Sequence, residues 1–140
     1  MKKIWWMLLV LVFTAHTGSM AALADVIVIS NPSVPVNSMS TTEIQDVFLG
    51  KTAKWGDDSK VSFVVLKGDV HKEFLKNYIK RTDSQYSAYW KQMLFSGKGS
   101  LPKTFDTEKE LAQYVSETPG AIGYVSGTTA PANTKVISVN

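Results

Sequence analysis

Short, dense apolar runs alternate along the chain with stretches whose apolar residues recur every three or four positions. Asp25-Val26-Ile27-Val28-Ile29 is continuous and β-branched, which predicts a buried strand. Ser30-Asn31-Pro32-Ser33 stops it, and Pro35 keeps the next stretch irregular. Ser40-Thr41-Thr42-Glu43 has the form of a capping box with Ser40 as N-cap. Ile44, Val47 and Phe48 follow at helical spacing, and Gly50 stands where a helix would end. Lys54-Trp55-Gly56-Asp57-Asp58 reads as a turn, and Val61 to Leu66 as a second strand. Lys67-Gly68-Asp69 breaks that strand. Asp69 is placed to cap a helix to about Lys80, with Val70, Phe74 and Tyr78 along one face.

A further helix starts at Asp83 or Ser84 and carries the stripe Tyr86, Tyr89, Trp90, Met93, Leu94. Residues 96–102, rich in Gly and Ser, form a loop. Thr107 and Glu110 make a second capping box, with Leu111, Tyr114 and Val115 on its apolar face. Pro119-Gly120 turns the chain into a strand at Ala121–Val125, and Lys135–Val139 is a closing strand. Strands alternating with helices in this order predict a single α/β sheet with helices packed on it.

The first residues have another pattern. Lys2 and Lys3 precede an apolar run from Ile4 to Ala15, then His16-Thr17-Gly18-Ser19 and the small-x-small string Ala22-Leu23-Ala24. These are the parts of a secretory signal peptide. A membrane anchor needs about 20 predominantly apolar residues, and His16 with its polar neighbours interrupts the run first. Residues 1–24 are therefore expected to be a cleaved signal, leaving residues 25–140 as one domain, periplasmic or secreted. No stable membrane insertion is expected after cleavage.

Removing 24 of the 140 residues leaves 116, enough for one core and too few for two domains. Two of the fifteen basic residues go with the signal, so thirteen face twelve acids and the net charge falls to about +1. The basic residues form no run, and nucleic acid is not an expected partner. With no cysteine, stability must come from packing, and a lipid-modified N-terminal Cys is excluded.

Catalytic and metal chemistry find little support. Residues 25–140 hold one histidine, His71, and no Gly-x-Ser-x-Gly elbow. Asp57-Asp58 is the only adjacent carboxylate pair and sits in turn chemistry. No phosphate-cradling glycine motif follows a strand. The expectation is a protein that is not an enzyme and holds neither cofactor nor metal. Binding is better supported, because two junctions carry small polar residues at predicted helix starts: Ser38-Met39-Ser40-Thr41 and Lys67-Gly68-Asp69-Val70-His71-Lys72. Helix N-termini offer free N–H donors and a positive dipole end. Open α/β sheets bind ligands beyond the carboxyl ends of their strands. The bland alternatives are that such hydroxyls only cap, and that a lone His near a helix start is simply solvated. A carboxylate cap at Asp69 would also occupy the donors an anion needs.

Specific strings then matter. Met39-Ser40-Thr41-Thr42-Glu43-Ile44-Gln45-Asp46-Val47-Phe48-Leu49-Gly50-Lys51, with Trp55 and Asp57, resembles a signature of the phosphate-type solute-binding proteins of ABC importers. Thr118-Pro119-Gly120-Ala121-Ile122-Gly123-Tyr124-Val125 looks like that family's second signature. Tyr89-Trp90 and Phe95-Ser96-Gly97-Lys98-Gly99 look like its short branch. The resemblance implies a type II periplasmic-binding-protein-like single lobe, a mixed sheet flanked by helices. It also implies phosphate or a related oxyanion as ligand, and an ABC permease or another envelope protein as partner. The anion-binding candidates it marks are Ser33, Ser38, Ser40, Lys67, Gly68 and His71. The family's Arg-x-Asp-Gly-Ser-Gly-Thr loop corresponds here to Leu66-Lys67-Gly68-Asp69-Val70-His71-Lys72, without arginine and without Ser-Gly-Thr. That departure leaves a second expectation open, an envelope interaction or sensor module that keeps the scaffold and has lost the pocket.

Overall fold

A computed structural model describes residues 25–140; the signal-like segment 1–24 lies outside the described residues. Six strands form one sheet in the order β2-β6-β1-β5-β3-β4. They are β1 (Val26–Ser30), β2 (Ser38–Met39), β3 (Ser62–Leu66), β4 (Lys103–Phe105), β5 (Ala121–Ser126) and β6 (Lys135–Val139). β1 pairs antiparallel with both β5 and β6, whereas β2–β6, β3–β5 and β3–β4 are parallel. Five strands therefore point one way and β1 alone points the other. The sheet is mixed, as the resemblance implies.

Four α-helices pack on it: α1 (Thr41–Phe48), α2 (Asp69–Phe74), α3 (Asp83–Phe95) and α4 (Glu108–Glu117). Alternation along β5 places them on both faces. A Cβ at Gly123 would lie 2.9 Å from Leu111 of α4. Tyr124, one residue on, stacks its ring on Phe74 of α2 at 3.8 Å between centroids. Phe48 of α1 meets Phe74 edge-on at 4.7 Å. Such aromatic pairs add about 0.5–1.5 kcal/mol each beyond the area they bury. The core thus has two parts, an aliphatic layer under α4 and an aromatic one under α1 and α2.

The helix ends follow local chemistry. Ser40, Thr82 and Thr107 each accept a backbone N–H three residues on, capping α1, α3 and α4. Gln85 returns the bond to Thr82, completing a capping box there. At the other end of α1, Tyr86 and Tyr89 of α3 donate their hydroxyls to the carbonyls of Phe48 and Leu49 at 2.7 and 2.6 Å. Carbonyls that a helix terminus leaves orphaned thereby join α3 to α1.

Two expectations about the second helix need correction. Its N-cap is Gly68, not Asp69, and no side chain caps it. Gly68 sits at φ 87 and ψ −154, a backbone conformation that residues with a Cβ rarely adopt, and Asp69 falls in the first turn. The helix also does not run regularly to Lys80. It passes into a π-helical turn over Leu75–Ile79 and ends with Lys80 in the left-handed region at φ 60. Two short edge strands, β2 and β4, stand where the pattern predicts a junction and unassigned chain.

Candidate functional site

The carboxyl end of β3 opens into a cleft of about 300 Å³. Leu66 forms its floor, the start of α2 one wall, α3 another, and the segment leading into β4 its rim. Parallel pairing of β3 with β5 and β4 brings several strand ends to this side, the side on which open α/β sheets bind ligands. Lys67 and Gly68 come from the β3–α2 junction, Ser87 and Lys91 from α3, and Thr104 from β4.

Gly68 matters here because of what it lacks. Without a side-chain cap, the first N–H groups of α2 receive no acceptor from a side chain, unlike those of the other three helices. The objection that Asp69 fills these donors therefore falls. Lys67 is exposed and lies 3.3 Å from Asp106, itself exposed. Such a pair is worth only about 0–1 kcal/mol, so the ammonium is free to exchange partners. Trp90, 5% exposed, also lines the cleft, and its indole N–H has no hydrogen-bond partner among the described residues.

His71 departs from expectation. It is buried, not solvated, and 6% exposed. Its Nδ1 lies 2.5 Å from the Tyr124 hydroxyl, whose oxygen accepts the N–H of Leu66 at 2.9 Å. With the ring proton on Nε2, Nδ1 accepts from the Tyr124 hydroxyl; with it on Nδ1, the ring donates to that oxygen. Nε2 faces Asp83 Oδ1 at 3.5 Å. Burial pushes the His71 pKa below its usual value, and the opposing pull of Asp83 is the lesser effect. Burial likewise raises the Tyr124 phenol well above its usual range. His71 accordingly links α2, β5 and α3, with both ring nitrogens turned to protein groups.

The three candidate serines are not brought to this cleft. Ser33 accepts the N–H of Gly120 at 3.0 Å. It follows the carboxyl end of β1, and since β1 runs against its neighbours, Ser33 lies at the opposite end of the strands from Lys67. Ser40 is occupied as the cap of α1. Ser38 belongs to β2, at the same end of the sheet as Lys67 but four strands from β3, roughly 19 Å at the usual strand spacing. Of the six candidates, only Lys67, Gly68 and His71 come together. Lys91, Ser87 and Thr104 were not singled out from sequence. The polar row Asp83, Ser87, Lys91 at i, i+4, i+8 on α3 was the available signal for two of them.

Among the described residues no group of three or more His, Asp or Glu could hold a metal ion. Likewise, no described helix is long and apolar enough to cross a membrane.

Solved structures with this fold include PstS from Borrelia burgdorferi, with a TM-score of 0.62 at 18% identity over 85% of this chain. An ABC-type phosphate transport receptor from Vibrio cholerae gives 0.57 at 14% identity over 84% of this chain. The chain spans about half the length of these proteins, 48% and 47% respectively. No family model matches the chain, and neither does any curated protein. At these identities the likeness establishes the fold: an α/β unit of the periplasmic-binding-protein type.

Proposed function

We propose that this chain is an exported, periplasmic solute-binding protein that takes phosphate or a related oxyanion in the cleft at the β3–α2 junction. The observation that carries the reading is the uncapped start of α2 at Gly68, set in a concave site beside Lys67 and Lys91. Amide donors there and the positive end of the helix favour an anion, while the lysines add charge and Ser87 and Thr104 add hydroxyl donors. The phosphate proteins named above support the choice of anion. In this reading residues 1–24 are the cleaved signal, and an ABC permease or another envelope protein receives the solute.

The test is thermal unfolding of the protein against a panel of phosphate, sulfate, arsenate and chloride. A ligand present at about a hundred times its Kd stabilises by about 2.7 kcal/mol, a Tm rise of roughly 10 °C for a chain of this size. Phosphate should raise Tm where chloride does not, and Lys67→Ala with Lys91→Ala should remove most of the rise. A flat response to every oxyanion, or an undiminished one in the double variant, refutes the assignment.

A further inference from the structure

The strongest concentration of charge lies outside that cleft. Lys72 of α2, Lys76 and Lys80 of the π-helical turn and its end, and Arg81 line a groove of about 590 Å³ against the start of α3. It adjoins a second groove of about 510 Å³ that shares Lys80, Arg81 and Gln85 and continues along α3 to Gln92. Residues 25–140 carry nearly equal numbers of basic and acidic side chains, so four cations with the single acid Asp83 are a marked segregation. Asp83 is turned to His71 at 3.5 Å. Among the described residues, none of the four cations forms an ion pair with a carboxylate. Like charges one helical turn apart repel, and Lys80 adds left-handed backbone strain for a residue with a Cβ. Arg81 is held over the Tyr89 ring at 5.0 Å, which fixes the plane of its guanidinium fork.

We propose that this double groove is the docking surface for an acidic, extended segment of a partner protein. Two adjoining grooves that share Lys80, Arg81 and Gln85 suit a chain better than a compact ion. The hydroxyl and amide side chains Thr82, Ser84, Gln85 and Gln92 can hydrogen-bond a peptide backbone, and the cations can take its carboxylates. An anionic lipid surface fits less well. It would need cations on a convex face with apolar residues beside them to insert, but the exposed apolar residues Leu94, Phe95, Leu101 and Val136 line neither groove.

The experiment measures fluorescence anisotropy of a labelled ten-residue glutamate-rich peptide with the full chain at low salt. K76E/K80E is compared with K51E/K109E, which makes the same charge change away from the groove. The wild type should bind the peptide, weakening as salt rises. K76E/K80E should bind at least roughly tenfold more weakly, and K51E/K109E within about twofold of wild type. If charge reversal unfolds the protein, K76Q/K80Q should show the same order of loss. The proposal is overturned if wild type fails to bind the peptide or if the two reversals weaken binding equally. It is overturned as well if phosphatidylglycerol vesicles bind through Lys76 and Lys80 while the peptide does not compete.

Discussion

Replacing Tyr124 with phenylalanine tests whether the Leu66–Tyr124–His71 chain holds the cleft side of the sheet together. The β3–β5 ladder stops at Phe63, and farther along β3 the Leu66 N–H is taken up by the Tyr124 hydroxyl instead. Tyr124→Phe keeps the ring stacked on Phe74 and leaves no large cavity. It orphans two buried groups, the Leu66 N–H and His71 Nδ1. An unsatisfied buried donor costs about 1–3 kcal/mol, and the second lost bond about 1 more, so the expected loss is about 2–4 kcal/mol. Urea unfolding followed by tryptophan fluorescence measures it directly, since Trp55 and Trp90 are both buried. With a slope of about 2 kcal/mol/M the midpoint should fall by roughly 1–2 M at unchanged slope. A loss below about 1 kcal/mol would mean that water or a shifted partner satisfies these groups, and the chain would have no structural weight.

Two further outcomes follow from the same geometry. Because burial lowers the His71 pKa from its usual 6.5, the unfolded chain binds a proton below pH 6.5 that the folded chain resists. Stability should therefore be full above that pH, fall as pH drops through the window beneath it, and level off once the folded value is passed. Tm measured from pH 7.5 to 5 should show this decline, and His71→Gln should flatten it; an identical decline in the variant would assign it elsewhere. Gly120→Ala should cost about 3 kcal/mol or more by chemical denaturation. Its φ is 78, and the added Cβ would press on the carbonyl of Lys60. At Gly68 a Cβ meets open space, so Gly68→Ala carries backbone strain alone, about 1–3 kcal/mol. Equal losses at the two glycines would contradict the geometry.

Much of this fold was legible because its long elements announce themselves by period. β1, β3 and β6 are rich in β-branched residues, β5 follows a Pro-Gly turn, and α1, α3 and α4 carry apolar stripes behind hydroxyl caps. What escaped was short or conditional. Two residues of β2 and three of β4 have no measurable period, and they are strands only because β6 and β3 offer them edges. The cap at Gly68 depends on a backbone conformation that composition permits but does not declare. At the site, Lys67-Gly68 is a local signal and was found. His71 looked like a surface residue because its partner, Tyr124, lies 53 positions away. Ser33, Ser38 and Ser40 looked equivalent to Lys67 until strand order and direction separated them.

The reversed central strand also governs how the molecule assembles. β1 begins the described chain, yet both its neighbours come from the end: Val26 faces Ser126 and Val28 faces Ile137. Closing loops of that length costs entropy before any contact repays it. An N-terminal fragment can form α1 or a nascent helix, but it cannot build the centre of the sheet. Folding should therefore be slow for a domain of this size and should wait for β6, leaving the sheet without its centre until residues 135–139 are in place.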